Sequence, residues 1–266
     1  MGGEAPAHDG GPMGHTQSRT IREPWYPDQP HVLEVLREAE IGELELVGDS
    51  SNSVFVAELS HPERGRGLGI YKPERGERPL HDFPDGSLHR REVAAFELSR
   101  LLQWRLVPPT VEREGPYGVG SLQLFIEHDP DQHYFVLREK ERLWPQLQQL
   151  AVFDIVANNV DRKGGHVLLG AGDRLWAIDN ALCFRRHGKL RTVIWDFAGH
   201  ELDTDCLRDL RRVYSQLSSD APEADELVAR LSADERIALI ERIGVLIARP
   251  LLPEMFPWRC WPWPLI

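Results

Sequence analysis

Cysteine is scarce: three residues of 266, at Cys183, Cys206 and Cys260. None belongs to a C-x-x-C pair, which removes the usual zinc knuckle, and an odd number spread this widely is no disulfide framework. A reducing compartment suits such usage, so a cytoplasmic location is expected. Long apolar runs are also missing. No window approaches the roughly 18 apolar residues of a membrane span, and no basic residue leads an apolar stretch at the start, so neither a transmembrane segment nor a signal peptide is expected. Nor is there an excess of positive charge: 31 Lys+Arg against 42 Asp+Glu leave a net charge of −11. That sign is wrong for a protein that grips nucleic-acid backbones. A small phosphorylated ligand is left open, because it needs only a few local cations. No repeat and no GxGxxG fingerprint is present.

What remains is the balance of a globular protein, 41% hydrophobic and 27% charged. The length can bury a sizeable core, as one bilobal unit or as two small domains. Residues 1–28, rich in Gly, Pro, Ala and His, read as a disordered arm. His8 and His15 could bind metal there, or simply be solvated. Val32, Leu33, Val35 and Leu36 suggest a short helix, and Glu43–Val47 alternates like a strand. Gly48–Ser53 is a polar turn before the strand Val54–Ala57. Such a turn can lay backbone N–H groups over a phosphate, or can be a plain hairpin. The strand Leu68–Tyr71 delivers Lys72, which either snorkels to solvent or reaches a ligand. Glu92 lies in the helical segment Leu88–Trp104, as an exposed position or as a partner for Lys72. Pro108 and Pro109 hold their neighbourhood extended, and Ser121–Ile126 reads as a buried strand leading into a polar connector at His128–Gln132.

The most informative stretch is Phe153–Asn180. Pro145 can open a helix, and Leu147, Leu150, Ala151 and Ile155 give it one apolar face. Asn158 and Asn159 favour leaving it. The loop Asp161–His166 follows, then two short apolar runs, Val167–Leu169 and Leu175–Ile178, around a glycine-containing turn: a hairpin. The hairpin brings the loop carboxylate of Asp161 near the strand-end carboxylate of Asp179. Phosphoryl transfer can use that pair, one to orient the attacking hydroxyl and one to hold a metal. A surface loop and an ordinary strand end would fit the same residues.

Beyond it, Arg185, Arg186, His187, Lys189 and Arg191 form the densest cationic cluster, a solvated loop or a landing site for an anionic substrate. Cys206–Leu217 and Ala224–Leu231 look helical. Ser232–Glu235 fits a capping box opening a helix whose core positions are Ile237, Ile240, Ile243, Leu246 and Ile247. Phe256–Pro264 holds three of the eight tryptophans, as a proline-stiffened tail on the helical part or an interfacial belt that leaves peripheral membrane contact open.

Taken in order, six segments resemble the phosphatidylinositol 3-/4-kinase family, most of all its type II phosphatidylinositol 4-kinase branch and related actinobacterial kinase-like proteins. They are Ser51-Asn52-Ser53-Val54-Phe55-Val56, Tyr71-Lys72-Pro73, Arg91–Phe96, Gln123-Leu124-Phe125-Ile126-Glu127, Asn159-Val160-Asp161-Arg162 and Ala177–Phe184. The resemblance implies an α+β, protein-kinase-like bilobal fold, with a β-rich N-lobe over 29–127 and a mainly helical C-lobe over 128–266. It implies an ATP-dependent phosphotransferase using Mg²⁺ or Mn²⁺, with a hydroxyl acceptor on an inositol-type small molecule, a lipid or a protein. Asp161 would be the catalytic carboxylate, Lys72 would contact ATP phosphates and Glu92 would orient it. Ser51, Asn52, Ser53, Gln123 and Phe125 would complete the nucleotide site, the last two through the backbone that reads adenine. Asp179 would be the chief metal ligand, and His166 stands where the family has a second ligand, asparagine. That departure favours softer metals than Mg²⁺ and motivates an alternative, a nucleotide-binding pseudokinase that signals through a partner. Nucleotidyl transfer on the same fold is a third reading. The clustered cysteines of the type II lipid kinases are absent.

Overall fold

The computed structural model describes residues 25–48, 52–255 and 260–266. A short helix α1 (Val32–Glu38) precedes five antiparallel strands: β1 (Glu40–Leu46), β2 (Phe55–His61), β3 (Gly65–Pro73), β4 (Thr110–Gly115) and β5 (Gly118–Leu124), in the order β1-β2-β3-β5-β4. Gly65, at φ 75°, closes the β2–β3 hairpin in a conformation that side chains resist. Strand alternation sends Ala57, Leu59, Tyr71, Val111 and Leu122 to one face, where α1 and Trp25 cover them. Trp25 packs so closely on Gly67 that a Cβ there would lie 2.5 Å from the indole, and its Nε1 donates to the Arg64 carbonyl at 2.7 Å. Asp28 bridges Arg105 (3.2 Å) and Arg174 (2.7 Å). Trp25 and Asp28, inside the arm expected over 1–28, are therefore packed or paired, while His8 and His15 lie outside the described residues. β1 is longer than its alternation suggested. A register shift between Ile41 and Leu44 turns those two inward and leaves Leu46 61% exposed.

The helical part comprises α2 (Leu88–Leu102), α3 (Tyr134–Leu137), α4 (Trp144–Ala157), α5 (Thr204–Ser218), α6 (Asp225–Val228) and α7 (Ala233–Ala248), with the hairpin β6 (Val167–Leu169) and β7 (Leu175–Ala177) at its edge. Pro145 stands in the first turn of α4, and Asn158 ends it at φ 50°. Ser232 and Glu235 form the capping box of α7. Its inward stripe is Ala238, Leu239, Ile243 and Leu246, with Ile240 and Ile247 at its margin; Ile237, one residue before the stripe begins, is 55% exposed because it points away from the helix face turned to the core. α6 is a single short turn, since the chain must bend at Ala229–Leu231 to reach the Ser232 cap. One large core joins α2, α4, α5 and α7. The whole is an α+β arrangement of a β-rich N-lobe and a mainly helical C-lobe. Among the described residues no helix is long and apolar enough to cross a membrane.

Candidate active site

The face of the sheet opposite α1 carries Lys72, with Ser121 as its cross-strand partner. The Lys72 ammonium donates to Glu92 Oε1 on α2 and, at 2.9 Å, to Asp179 Oδ1 at the end of β7. Three residues far apart in sequence thus share one proton-rich centre between the lobes. Burial alone would lower the lysine pKa, but Asp179 and Glu92 outweigh it and hold it above its ordinary value. Lys72 in turn holds Asp179 well below the usual carboxylate range, against the effect of burial. The second oxygen of Glu92 accepts the Asn180 N–H at 2.9 Å, tying α2 to the strand end. Asp179 itself sits at φ 55°, a left-handed conformation that aspartate tolerates better than most residues.

His166 closes the loop that begins at Asp161. Its Nε2 is 3.3 Å from Asp179 Oδ2, and its Nδ1 accepts the Lys163 N–H at 3.4 Å. Burial pushes the imidazole down to about 4, so it is neutral at physiological pH. Asp161 is fixed through its N–H, which donates to Asn159 Oδ1 at 2.9 Å, and its carboxylate pairs with Lys163 at 3.2 Å. Burial raises its pKa and Lys163 opposes the rise. The donor set of Asp179 and His166 fits a divalent ion bound partly by phosphate oxygens: one half-exposed carboxylate and one uncharged imidazole face each other. Among the described residues no group of three or more His, Cys, Asp or Glu could hold a metal ion. Imidazole in the set suits softer metals than Mg²⁺.

Behind these groups lies a network that the motifs did not reveal. Arg162 is fully buried and forks onto Asp154 of α4 (3.0–3.2 Å), the Ile178 carbonyl (2.7 Å) and Asn180 Oδ1 (2.6 Å). Thr192 Oγ1 and Asn159 Nδ2 also donate to Asp154, at 3.1 and 3.2 Å. The catalytic-loop candidate and the strand bearing Asp179 are therefore bolted to one buried ion pair. The signal was present: Asp154 falls on the apolar stripe of α4, three places after Ala151, and a charge there must be paired.

Asn52 Oδ1 accepts the Arg78 N–H at 2.9 Å, and the Ser53 N–H donates to the Gly76 carbonyl at 3.1 Å, so the turn after β1 leans on the segment following β3. Ser51 lies outside the described residues. Gln123 shares the face of Lys72, but its amide is 6% exposed and donates to Thr110 Oγ1 at 2.9 Å. The Phe125 N–H donates to the Leu68 carbonyl at 3.0 Å. Most of the basic loop is neutralised: Arg185 and Lys189 pair with Asp82, and Arg186 with Asp234 at 2.7 Å. Arg191 differs. Its backbone N–H is latched to the Asn159 carbonyl at 2.9 Å, beside Asp161, and its Nε is buried with no hydrogen-bond partner. In the tail, Cys260 and Trp261 pack on the C-lobe, Trp263 is 76% exposed, and the Leu265 carbonyl accepts the Gly164 N–H at 2.7 Å. Phe256–Arg259 lie outside the described residues.

A strand-borne lysine, a helix-borne glutamate and a strand-end aspartate meeting between a sheet and a helical lobe define a kinase-like fold. The crystal structure of the Golgi casein kinase with Mn/ADP bound has this fold at 15% identity and a TM-score of 0.52, over 82% of this chain and 74% of that one. The structure of hydra Fam20 with sugar is similar at 16% identity and a TM-score of 0.49, over 81% and 86%. No family model matches the sequence. The chain belongs to the family of Protein Rv2133c of Mycobacterium tuberculosis, to which it is 35% identical over 86% of its own length and 94% of the relative's.

Proposed function

We propose that the chain is an ATP-dependent phosphotransferase, resembling phosphatidylinositol 3-/4-kinases, that moves the terminal phosphoryl group of ATP to a hydroxyl acceptor. One observation carries the reading: the Lys72 ammonium lies between Glu92 and Asp179, 2.9 Å from the latter, where a kinase holds phosphate and metal. The nucleotide would lie between an N-lobe of residues 29–127 and a C-lobe of residues 128–266. Lys72 neutralises phosphate charge and Glu92 keeps its ammonium in place. Asp179 and His166 would hold Mg²⁺ or Mn²⁺, which screens the charge of the transferring group when bound. Asp161 orients the acceptor hydroxyl and takes its proton. Asn52 and Ser53, together with Ser51 as the resemblance implies, would contact the phosphates. Since the Phe125 N–H and the Gln123 amide are engaged within the protein, adenine reading falls to Gln123 and Phe125 as walls and to backbone groups just beyond them. Arg191, the basic-loop residue beside Asp161 with an unpaired buried donor, is assigned to an anionic group on the acceptor, whether inositol-type, lipid or protein. With free buried thiols, a cytoplasmic location goes with the proposal.

Asp161→Asn should abolish phosphate transfer while ATP binding stays near wild type, and Asp179→Ala should lose both transfer and metal-dependent nucleotide binding. Labelled-ATP transfer and calorimetric titration read the two effects; wild-type turnover in both variants would remove the assignment. His166 favours a second reading, a pseudokinase that holds nucleotide and acts through a partner. Tight nucleotide binding without turnover in either Mg²⁺ or Mn²⁺ would select it.

A further inference from the structure

The helix that carries Glu92 packs on β4 and β5 and is fastened to the C-lobe at both ends. Its apolar side chains Ala94, Ala95, Leu98, Leu101 and Leu102 belong to the same buried cluster as α4, α5 and α7, whereas the sheet and α1 form a separate one. At its C-terminal end, Arg212 of α5 donates to the carbonyls of Leu101 (2.6 Å) and Leu102 (3.2 Å), satisfying acceptors that a helix end leaves open. At its N-terminal end, Arg90 donates to the Ala229 carbonyl at 3.1 Å. The strongest fastening is Arg91, next to Glu92 and only 4% exposed. Its guanidinium donates to the Cys183 carbonyl at 2.6 Å, four residues past the metal-ligand candidate Asp179, and pairs with the Glu235 carboxylate of α7. It also stacks 4.8 Å from the Phe83 ring. The other oxygen of Glu235 accepts from the Ser232 N–H at 2.9 Å, so this carboxylate caps its own helix while gripping α2.

A buried, forked guanidinium between two well-fixed acceptors is a rigid joint rather than a surface contact. We propose that Arg91 is a positioning residue: by joining α2 to Cys183 and Glu235 it holds Glu92 in register with Asp179, so that the Lys72–Glu92–Asp179 centre is assembled permanently, with no activating displacement of α2. On this view Glu92 and Asp179 keep their spacing with or without nucleotide. The proposal rests on the phosphotransferase reading for its kinetic consequence but not for its structural one.

The test uses Arg91→Lys and Glu235→Gln, each alone and combined with Glu92→Gln. Turnover is measured at varied ATP, and amide exchange is measured across α2 without nucleotide. In the wild-type background each variant should lower kcat roughly ten- to a hundredfold, as small misplacements of a reacting centre do, while the KM for ATP changes less than threefold. Exchange in the first turns of α2 should accelerate at least tenfold. In the Glu92→Gln background neither variant should reduce kcat further, because Arg91 acts through Glu92. Unchanged exchange in both variants, or an equal loss of kcat with and without Glu92, would overturn the proposal and leave Arg91 a structural ion pair. A wild-type protein that binds nucleotide without turnover would remove the phosphotransferase reading, and the exchange measurement would still decide the role of Arg91.

Discussion

The two walls of the cleft are built differently. On the helical side Asp161, His166 and Asp179 stand on a buried frame: Arg162 and Asp154 are fully buried, and every hydrogen-bonding arm of that arginine is occupied. On the sheet side Lys72 hangs from β3 with its side chain 20% exposed, and β1 at the edge is mostly open to solvent. The sheet's own buried cluster is completed by α1 and Trp25. Under the proposed function, the residues assigned to metal and acceptor hydroxyl thus stand in the stiffer wall, and the lysine assigned to phosphate stands in the looser one. Local stability varies in this way where a ligand must enter and leave.

The comparison breaks first at its stiffest point. Arg162→Leu removes one partner of a fully buried pair and strands Asp154 among apolar side chains. The expected loss is about 3–5 kcal/mol in urea denaturation, with phosphate transfer lost even under conditions where the variant is folded. A loss below about 1 kcal/mol would mean that water reaches Asp154 and that the frame is not the rigid element. The expectation also separates this pair from Arg142–Asp173, equally well formed at 2.8 Å but with both side chains more than half exposed, whose removal should be close to neutral.

How much of this was legible in the sequence depended on whether local pattern or long-range pairing decided the matter. The hairpin β6–β7, the Pro145 helix start, the Asn158 exit and the Ser232 capping box were all readable, because each is fixed by residues within a few positions. The resemblance correctly implied the bilobal α+β fold. The convergence of Lys72, Glu92 and Asp179 could be expected only by resemblance, since separations of 20 and 107 residues leave no periodic trace. Glu92 shows the limit: Ala95, Leu98, Leu101 and Leu102 mark one apolar face, but the helix is buried on nearly every side, so the exposed reading of that position failed. The Ile237 error came from counting spacing without knowing which face of the helix turns to the core. The roles of Arg91 and Arg162 were invisible because arginine is ordinarily a surface residue, and only its partners reveal otherwise.

The looser wall is tested by Gly67→Ala. The added methyl would lie 2.5 Å from the Trp25 ring, and an aromatic ring wedged over a strand cannot yield as a flexible chain end would. Overpacking of this kind costs about 1–3 kcal/mol. If the walls are as distinct as their cores imply, amide exchange should accelerate across β1, β2 and β3 and remain at the wild-type rate in α4 and α5. Uniform acceleration in both lobes would show that they melt as one unit and would blunt the contrast.

The smallest expected effect comes from Glu235, and its sign is set by linkage. Burial works against this carboxylate, but the Ser232 N–H and Arg91 outweigh it and hold the pKa below the ordinary value. A carboxyl depressed in the folded state stabilises above the unfolded pKa of about 4.5 and loses that contribution as pH falls through the folded value. Glu235→Gln should therefore be less stable than wild type by about 1 kcal/mol at pH 7. The gap should be smaller at pH 4, below the unfolded pKa, and should close further as pH falls through the folded value and the wild-type side chain becomes neutral and nearly isosteric with glutamine. Denaturation midpoints at the two pH values check it. A gap that persists unchanged at low pH would mean that the amide disturbs packing rather than charge, and Glu235 would then be a cap for α7 with no electrostatic hold on α2.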